Sequence, residues 1–487
     1  MGGLGKRPAY AMGDDRRVGR YVVRICYAGL RILPDVREQF RLKPAVKRLP
    51  LHFIIFALLV VPLVSCGSDG SDANPNAVRI TFWHSFTQST RPALDRLIDR
   101  FHEEHPDIRV QAQYIPTGDA LAQKLVTAVQ SGSPPDISWI HSHYLEDLVR
   151  ADAVYEMAHF INGENGLTEE EMADIYPALI DYASWQGTIY SLPMEATNLG
   201  IIYNKTLFEE AGLDPERPPR TWEELSEFSR RLSKDENGDG RYEQIGFFVP
   251  AVPASGPQGA YMMWQWTPFL WQAGGNLVNE EQTEILWNRQ PGIDALSLWK
   301  SIYETQNQHT FTSGDPLTVM ASQQIAMMLD GPWNLPRYPQ LFSRFDWGVA
   351  MLPEGPDKRA TVVAGEYLAI FKQSRHADAA WEFVRWIIEP EIQAFWSMES
   401  GYLPVRQSVV DVAEFQEFLQ ENEAQRVFVE QMQYAQAQRP IDFQTMEIQR
   451  LLSEAIERAT VGGEEAEVVL NQTAQRANAL LRQGREL

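Results

Sequence analysis

An α/β fold built in two domains is what this sequence predicts, and three observations carry it. From Val78 onward, short apolar runs alternate with stretches of helical periodicity. The chain has 487 residues, long enough for two separate cores. It has two cysteines, Cys26 and Cys66, and the first lies in a segment expected to be removed, so the core and not disulfide bridging must supply stability.

The elements follow in order. Residues 1–65 read as a leader. "RLKPAVKRLP" (41–50) carries four positive charges and no negative one, and "LHFIIFALLVVPLV" (51–64) is an apolar run. Basic flank, short apolar core and small residues form the order of a secretory signal. The run is shorter than the roughly 20 apolar residues a membrane span needs, and Pro62 interrupts it. "LVSC" (63–66) then looks like a bacterial lipobox. A thiolate is nucleophilic enough to take an acyl-glycerol group, and the lipid holds the protein at a membrane. Cleavage before Cys66 and anchoring through it are therefore expected, which places the protein in the cell envelope. The alternative is a signal anchor with an incidental cysteine. Residues 1–40 carry no legible pattern, as a start codon placed too far upstream would produce.

"GSDGSDANPNA" extends Cys66 into a flexible polar tether over 66–77. "VRITFWHSF" (78–86) reads as a buried strand, and Leu94, Leu97, Ile98 and Phe101 lie at helical spacing until Pro106. "IRVQAQYI" returns as a strand, which completes a strand–helix–strand unit. Residues 118–132 read as helix, "PPDISWIHS" as strand and "YLEDLVRADAV" as helix. Residues 188–213 give strand, turn, strand and a helix ending near Gly212. Residues 221–236 form a helix with Thr221 as N-cap and Glu224 closing a capping box. "DAAWEFVRWIIEPEIQAFWSME" and "EIQRLLSEAIERATVGG" are late amphipathic helices.

Charge narrows the function. The leader holds 12 Lys/Arg against 4 Asp/Glu, so its +8 is set within a chain of net −22, and the residues from 66 onward stand at −30. Such a surface repels nucleic acid and anionic lipid, and argues against either as the main partner.

Several stretches resemble the extracellular solute-binding proteins of ABC importers, in the group that takes sugars and glycerol phosphates. They are "ITFWHSF", "PPDI" at a strand start, "GIIYNKTLFEEAGLD" followed by "PPRTWEEL", "DGPWN", and "AAWEFVRWI" leading to "SGYLPVR". The resemblance covers 78–487. It implies the two-lobed type II periplasmic-binding-protein-like fold, with hinge-linked lobes around a ligand cleft. Lobe 1 would take 78–195 plus 364–400, and lobe 2 would take 196–363 plus 401–487. It further implies a monomer that captures a carbohydrate, most simply an oligosaccharide, and hands it to a membrane permease, with no cofactor required. A glycerol 3-phosphate or glycerophosphodiester binder of the same family is the alternative.

Sugars present apolar C–H faces and a rim of hydroxyls, so aromatic plates and polar groups are the residues to seek. Trp333, in the "DGPWN" turn, matches the stacking tryptophan of sugar-binding relatives. In "YMMWQWTPFLWQAGG" (261–275), Trp264, Trp266 and Trp271 cannot share one face of a helix. Trp264 matches a relative's ligand contact, and Trp271 reads as core. "SLPMEATNLG" offers Glu195 and Asn198 at the crossover between lobes, where a carboxylate can accept two hydroxyls. "VAGEYLAI" offers Gly365 and Glu366, with room at the glycine for a backbone N–H to approach a ligand. Tyr402 resembles a ligand tyrosine of the glycerol-phosphate binders. Trp83, His84 and Ser85 end the first strand, and His141 and Ser142 end a later one. Arg439 lies near the place where relatives carry a phosphate-pairing arginine.

His141 and His143 form an H-x-H pair, but no third ligand follows at metal spacing, so hydrogen bonding is the expected role. "DENGDGRYE" (235–243) places Asp235, Asn237 and Asp239 as the first half of a calcium loop, yet Gly246 stands where the twelfth-position acid belongs. A structural calcium ion there would need a remote carboxylate. The competing class is a secreted glycan-active enzyme with paired carboxylates. The chain has no G-x-S-x-G, H-E-x-x-H, Walker or dinucleotide-binding motif, so the expectation is a binder and not an enzyme. An adhesion or scaffold protein is a third class, and would not need a hinge and cleft.

Overall fold

The computed structural model describes residues 74, 76–116, 118–141, 144–251, 259–308, 315–438 and 445–485. Cys66, Ser142, His143 and Arg439 lie outside the described residues, as do the leader and most of the tether. Among the described residues, no helix is long and apolar enough to cross a membrane.

Strand β1 (Val78–His84) and strand β2 (Ile108–Tyr114) pair in parallel through the crossover helix α1 (Arg91–Glu104). Strand β3 (Ile137–Ile140) pairs in parallel on the other side of β1, after helix α2 (Gly118–Gln130). Tyr367–Ile370 and Leu192–Pro193 then complete a five-stranded sheet in antiparallel sense. Helix α1 forms where its spacing predicts, and Leu94, Leu97, Ile98 and Phe101 are the face it buries. Phe101 meets Phe383 at 4.9 Å and Trp386 at 5.1 Å, both edge-on. Burial of each such side chain stabilises the fold by about 2 kcal/mol.

A second, four-stranded sheet has Gly200–Asn204 and Ile325–Asp330 at its centre, with Trp347–Ala350 and Ile245–Phe248 at its edges. Its strands are buried on both faces. Ile201, Tyr203, Met327 and Leu329 point into one core and Ile202 and Met328 into the other, as the two-residue period of a strand requires. The residues of 401–432 pack in the core that contains the first sheet, whereas the two C-terminal helices, Thr445–Thr460 and Ala466–Arg485, pack in the other.

A small three-stranded sheet joins the two systems. Thr361–Ala364 lies between Ala435–Ala437 and Thr197–Asn198. The chain therefore passes between the five-stranded sheet and this bridge twice, at 194–196 and at 365–366. The Ala196–Leu403 pairing adds a third segment beside them.

One cap differs from its expected form. Thr221 accepts the N–H of Glu224 at 3.3 Å, but the Glu224 carboxylate turns to the N–H of Arg220 and to Arg217, so the box does not close. A reciprocal box does form at Thr168 and Glu171.

Candidate functional site

The aromatic wall comes from two elements. Helix Gly259–Gln272 presents Tyr261 and Trp264, three residues apart and therefore neighbours on one face. Their rings stack at 5.5 Å. Trp333 leans on both, 6.1 Å from Trp264 and 6.5 Å from Tyr261. Trp333 and Trp264 remain half-buried, while Trp266 and Trp271 lie in the core. Tyr261 carries no motif of its own, but its i, i+3 spacing from Trp264 would have revealed it.

Trp333 belongs to the short 3-10 helix Pro332–Arg337. Asp330 holds that turn from beneath. It accepts the N–H of Gly331 at 2.9 Å, the Asn334 amide at 2.9 Å and the Tyr338 hydroxyl at 2.7 Å. Burial pushes the Asp330 carboxyl up to about 6, while these three donors pull the other way.

The crossover carries a second group. Glu195 is fully buried and accepts the Trp396 indole N–H at 2.8 Å. Its other carboxylate oxygen, Oε1, and Oε2 of the buried Glu366 have no hydrogen-bond partner. Burial raises both carboxyls above their ordinary range, and the Glu366 charge adds to the rise of Glu195. Tyr402 lies close enough to sense both acids. The close packing of the two segments requires glycine at Gly365, because a Cβ there would stand 2.0 Å from the Glu195 carbonyl oxygen. Asn198 is fully buried, donates to the Phe428 carbonyl and accepts from Gln431. Both ends of its amide thus have protein partners.

The end of β1 forms the third group. Lys124, on α2, places its ammonium 4.0 Å over the Trp83 ring. Arg91 lies 4.7 Å over Tyr114, the residue paired with His84. His84 is buried, and burial first and Arg91 second lower its pKa to about 4. It therefore stays neutral near pH 7. Its Nδ1 accepts the Phe86 N–H at 3.3 Å, which leaves the proton on Nε2. Ser85 donates to the Ile115 carbonyl at 2.7 Å, and His141 packs edge-on against Trp139 at 4.7 Å.

Contacts link the three groups. Phe86 meets Trp396 at 5.5 Å and Tyr402 at 6.3 Å. Gly401, at φ +84°, has no room for a side chain, since a Cβ would lie 2.7 Å from the Pro332 carbonyl oxygen. Around them are buried polar atoms with no hydrogen-bond partner: Trp264 Nε1, Gln265 Oε1, Trp139 Nε1 and Thr197 Oγ1. Buried polar groups are normally satisfied, so these are the atoms a polyhydroxyl solute or ordered water would meet.

The calcium half-loop folds onto itself. Asp235 accepts the N–H groups of Gly238 and Gly240, Asn237 that of Asp239, and Asp239 that of Arg241. Glu243 accepts from Glu236 and Asn237 in turn. Among the described residues, no group of three or more His, Cys, Asp or Glu side chains is placed to hold a metal.

The family model of the bacterial extracellular solute-binding proteins matches residues 87–394, well over half of the chain. The chain belongs to that family. A crystal structure of a cyclic α-maltosyl-1,6-maltose binding protein from Arthrobacter globiformis is 28% identical, with a TM-score of 0.72 over 84% of this chain and 100% of that one. UgpB from Mycobacterium tuberculosis, in complex with glycerophosphocholine, is 22% identical, with a TM-score of 0.71 over 84% and 99% of the two chains. The sn-glycerol-3-phosphate-binding periplasmic protein UgpB of Pectobacterium atrosepticum is 22% identical over 88% of this chain and 95% of its own. These are binding proteins and not enzymes. The mixed α/β fold of this solute-binding protein is the one its sequence predicts, with two main sheets in place of a single core.

Proposed function

We propose that this solute-binding protein captures an oligosaccharide between its two sheet systems and delivers it unchanged to an ABC permease, held at the membrane by a lipid on Cys66. The wall of Tyr261, Trp264 and Trp333 carries the reading. Clustered aromatic rings match the C–H faces of successive sugar units. The unpartnered Trp264 Nε1 and Gln265 Oε1 would take hydroxyls at its edge, and Tyr402 would approach from the crossover. Closure of the two lobes around the crossing segments would then trap the solute. The Arthrobacter globiformis relative supports a saccharide of more than one unit.

A second reading has its own observation. Arg91 and Lys124 form no ion pair among the described residues, and the Nε of Arg91 is buried without a partner. A phosphate would fit such cations, as in a glycerophosphodiester. One experiment separates the two. Maltotriose, mannotriose, glycerol 3-phosphate and glycerophosphocholine are titrated into the purified protein while tryptophan emission and melting temperature are followed. A trisaccharide should shift both with no product on chromatography. A response to the phosphates alone gives the second reading, and a cleaved saccharide overturns both.

A further inference from the structure

The carboxyl ends of β1 and β2 bring His84, Tyr114 and Arg91 together. His84 and Tyr114 are partners across the two strands, with ring centroids 6.0 Å apart. Arg91, in the first turn of α1, lays its guanidinium 4.7 Å over Tyr114. Tyr114 is 42% exposed, so the group is open to a solute. The start of the helix offers nothing of its own here. The Arg91 N–H already donates to the Thr87 carbonyl at 3.1 Å, and Pro92 has no N–H to give.

Two side-chain donors of this group have no acceptor. Arg91 Nε is buried without a hydrogen-bond partner. His84 holds its proton on Nε2, because Nδ1 accepts the Phe86 N–H, and that Nε2–H meets no acceptor among the described residues. Buried donors are normally satisfied. The residues from 66 onward stand at −30, so carboxylates to neutralise a structural guanidinium are plentiful. Arg91 is kept unpaired at the carboxyl ends of parallel strands, where open α/β sheets bind their ligands.

The charge to be met is a single one. Trp83 and His84 are successive residues of a strand and point to opposite faces, so Lys124, over Trp83, lies across β1 from Arg91. One guanidinium balances one negative charge, and a phosphate monoester brings nearly two. The Nε edge of a guanidinium also presents two parallel N–H groups, the fork that matches the two oxygens of a carboxylate. Rings then lead from this group to the aromatic wall. His84 meets Phe86 at 5.5 Å and Phe86 meets Tyr402 at 6.3 Å. Gly401, beside Tyr402, lies against Pro332, the residue before Trp333.

We infer that Arg91 and His84 form a carboxylate subsite, and that the captured oligosaccharide carries a uronate unit there while its other units lie on Tyr261, Trp264 and Trp333. This rests on the oligosaccharide reading above. Arg91 takes both carboxylate oxygens through its Nε edge, and the His84 Nε2–H donates to one of them.

The test uses the full chain and matched sugars. Maltotriose and mannotriose are each titrated alone and with one terminal unit, at either end in turn, replaced by its uronate. Calorimetry should find one of the uronates bound about tenfold tighter than its neutral parent, with the advantage shrinking as salt is raised. Arg91→Ala should abolish that advantage and leave the neutral sugar within about twofold, and Arg91→Lys should restore only part of it, because an ammonium has no fork. Equal weakening of neutral and acidic sugars in Arg91→Ala would overturn the subsite and make Arg91 a packing residue of Tyr114. A neutral parent that binds as tightly as its uronates would overturn it too, with the oligosaccharide reading intact. If no trisaccharide binds, neutral or acidic, that reading fails and the subsite with it.

Discussion

The Trp333 ring folds back over the backbone of Gly331, so that a Cβ at residue 331 would stand 1.9 Å from the ring's Cζ3 and 2.3 Å from its Cη2. Glycine is therefore what permits the ring to lie against Tyr261 and Trp264. The change Gly331→Ala should push the indole off the wall while leaving both sheets intact. Affinity for whichever trisaccharide, maltotriose or mannotriose, proves to bind should fall about tenfold, or roughly 1.4 kcal/mol. Titration calorimetry reads this, with far-UV circular dichroism unchanged. Unaltered affinity would show that the wall does not bind the solute.

Asp330 gives that turn a pH dependence. Its folded value of about 6 is above the ordinary 3.8, so the stability it contributes is complete below 3.8 and lost as pH climbs through about 6. Thermal melting should show wild type losing stability between pH 4 and pH 7, with a shallower slope for Asp330→Asn.

Local chemistry was legible in the sequence, and distant partnership was not. The buried face of Leu94, Leu97, Ile98 and Phe101 follows from 3.6-residue spacing alone. Trp333 was visible because glycine and proline mark its turn. The calcium pattern was visible too, but the sequence could not show that Asp235 would turn its oxygens to Gly238 and Gly240. Glu195 and Glu366 are brought together only by sheet topology, and no periodicity links them. Asn198 reads from sequence as a ligand-contact candidate at the crossover, and its partners Phe428 and Gln431 arrive from a helix far along the chain, which no local pattern reveals.

Gln306 should be the costliest polar residue of the second core. Its Oε1 accepts from Gly246 N at 3.2 Å, Phe247 N at 3.3 Å and Ser229 Oγ at 3.2 Å, and its Nε2 donates to the Phe247 carbonyl. Gly246 lets the chains approach, since a Cβ there would be 1.9 Å from the Ser229 carbonyl oxygen. Gln306→Leu strands several buried groups in a site with no route to water. Stability should fall by about 3 kcal/mol, seen as a lower urea midpoint at an unchanged slope.

Lys124 decides between the two ligand classes. Its ammonium sits 4.0 Å over Trp83 with no carboxylate partner among the described residues, so Lys124→Ala removes a charge without stranding another. If the solute is a neutral oligosaccharide, the ammonium contributes little, and affinity for maltotriose should change by less than about twofold, independent of salt. If the solute carries a phosphate, a charge-assisted contact is lost, and affinity for glycerophosphocholine should fall by about tenfold or more. In that case wild-type binding should also weaken from low to high salt, with the variant less sensitive, because screening acts on the pair that the substitution deletes. Calorimetry of both proteins at two salt concentrations distinguishes these outcomes. The oligosaccharide reading predicts the first.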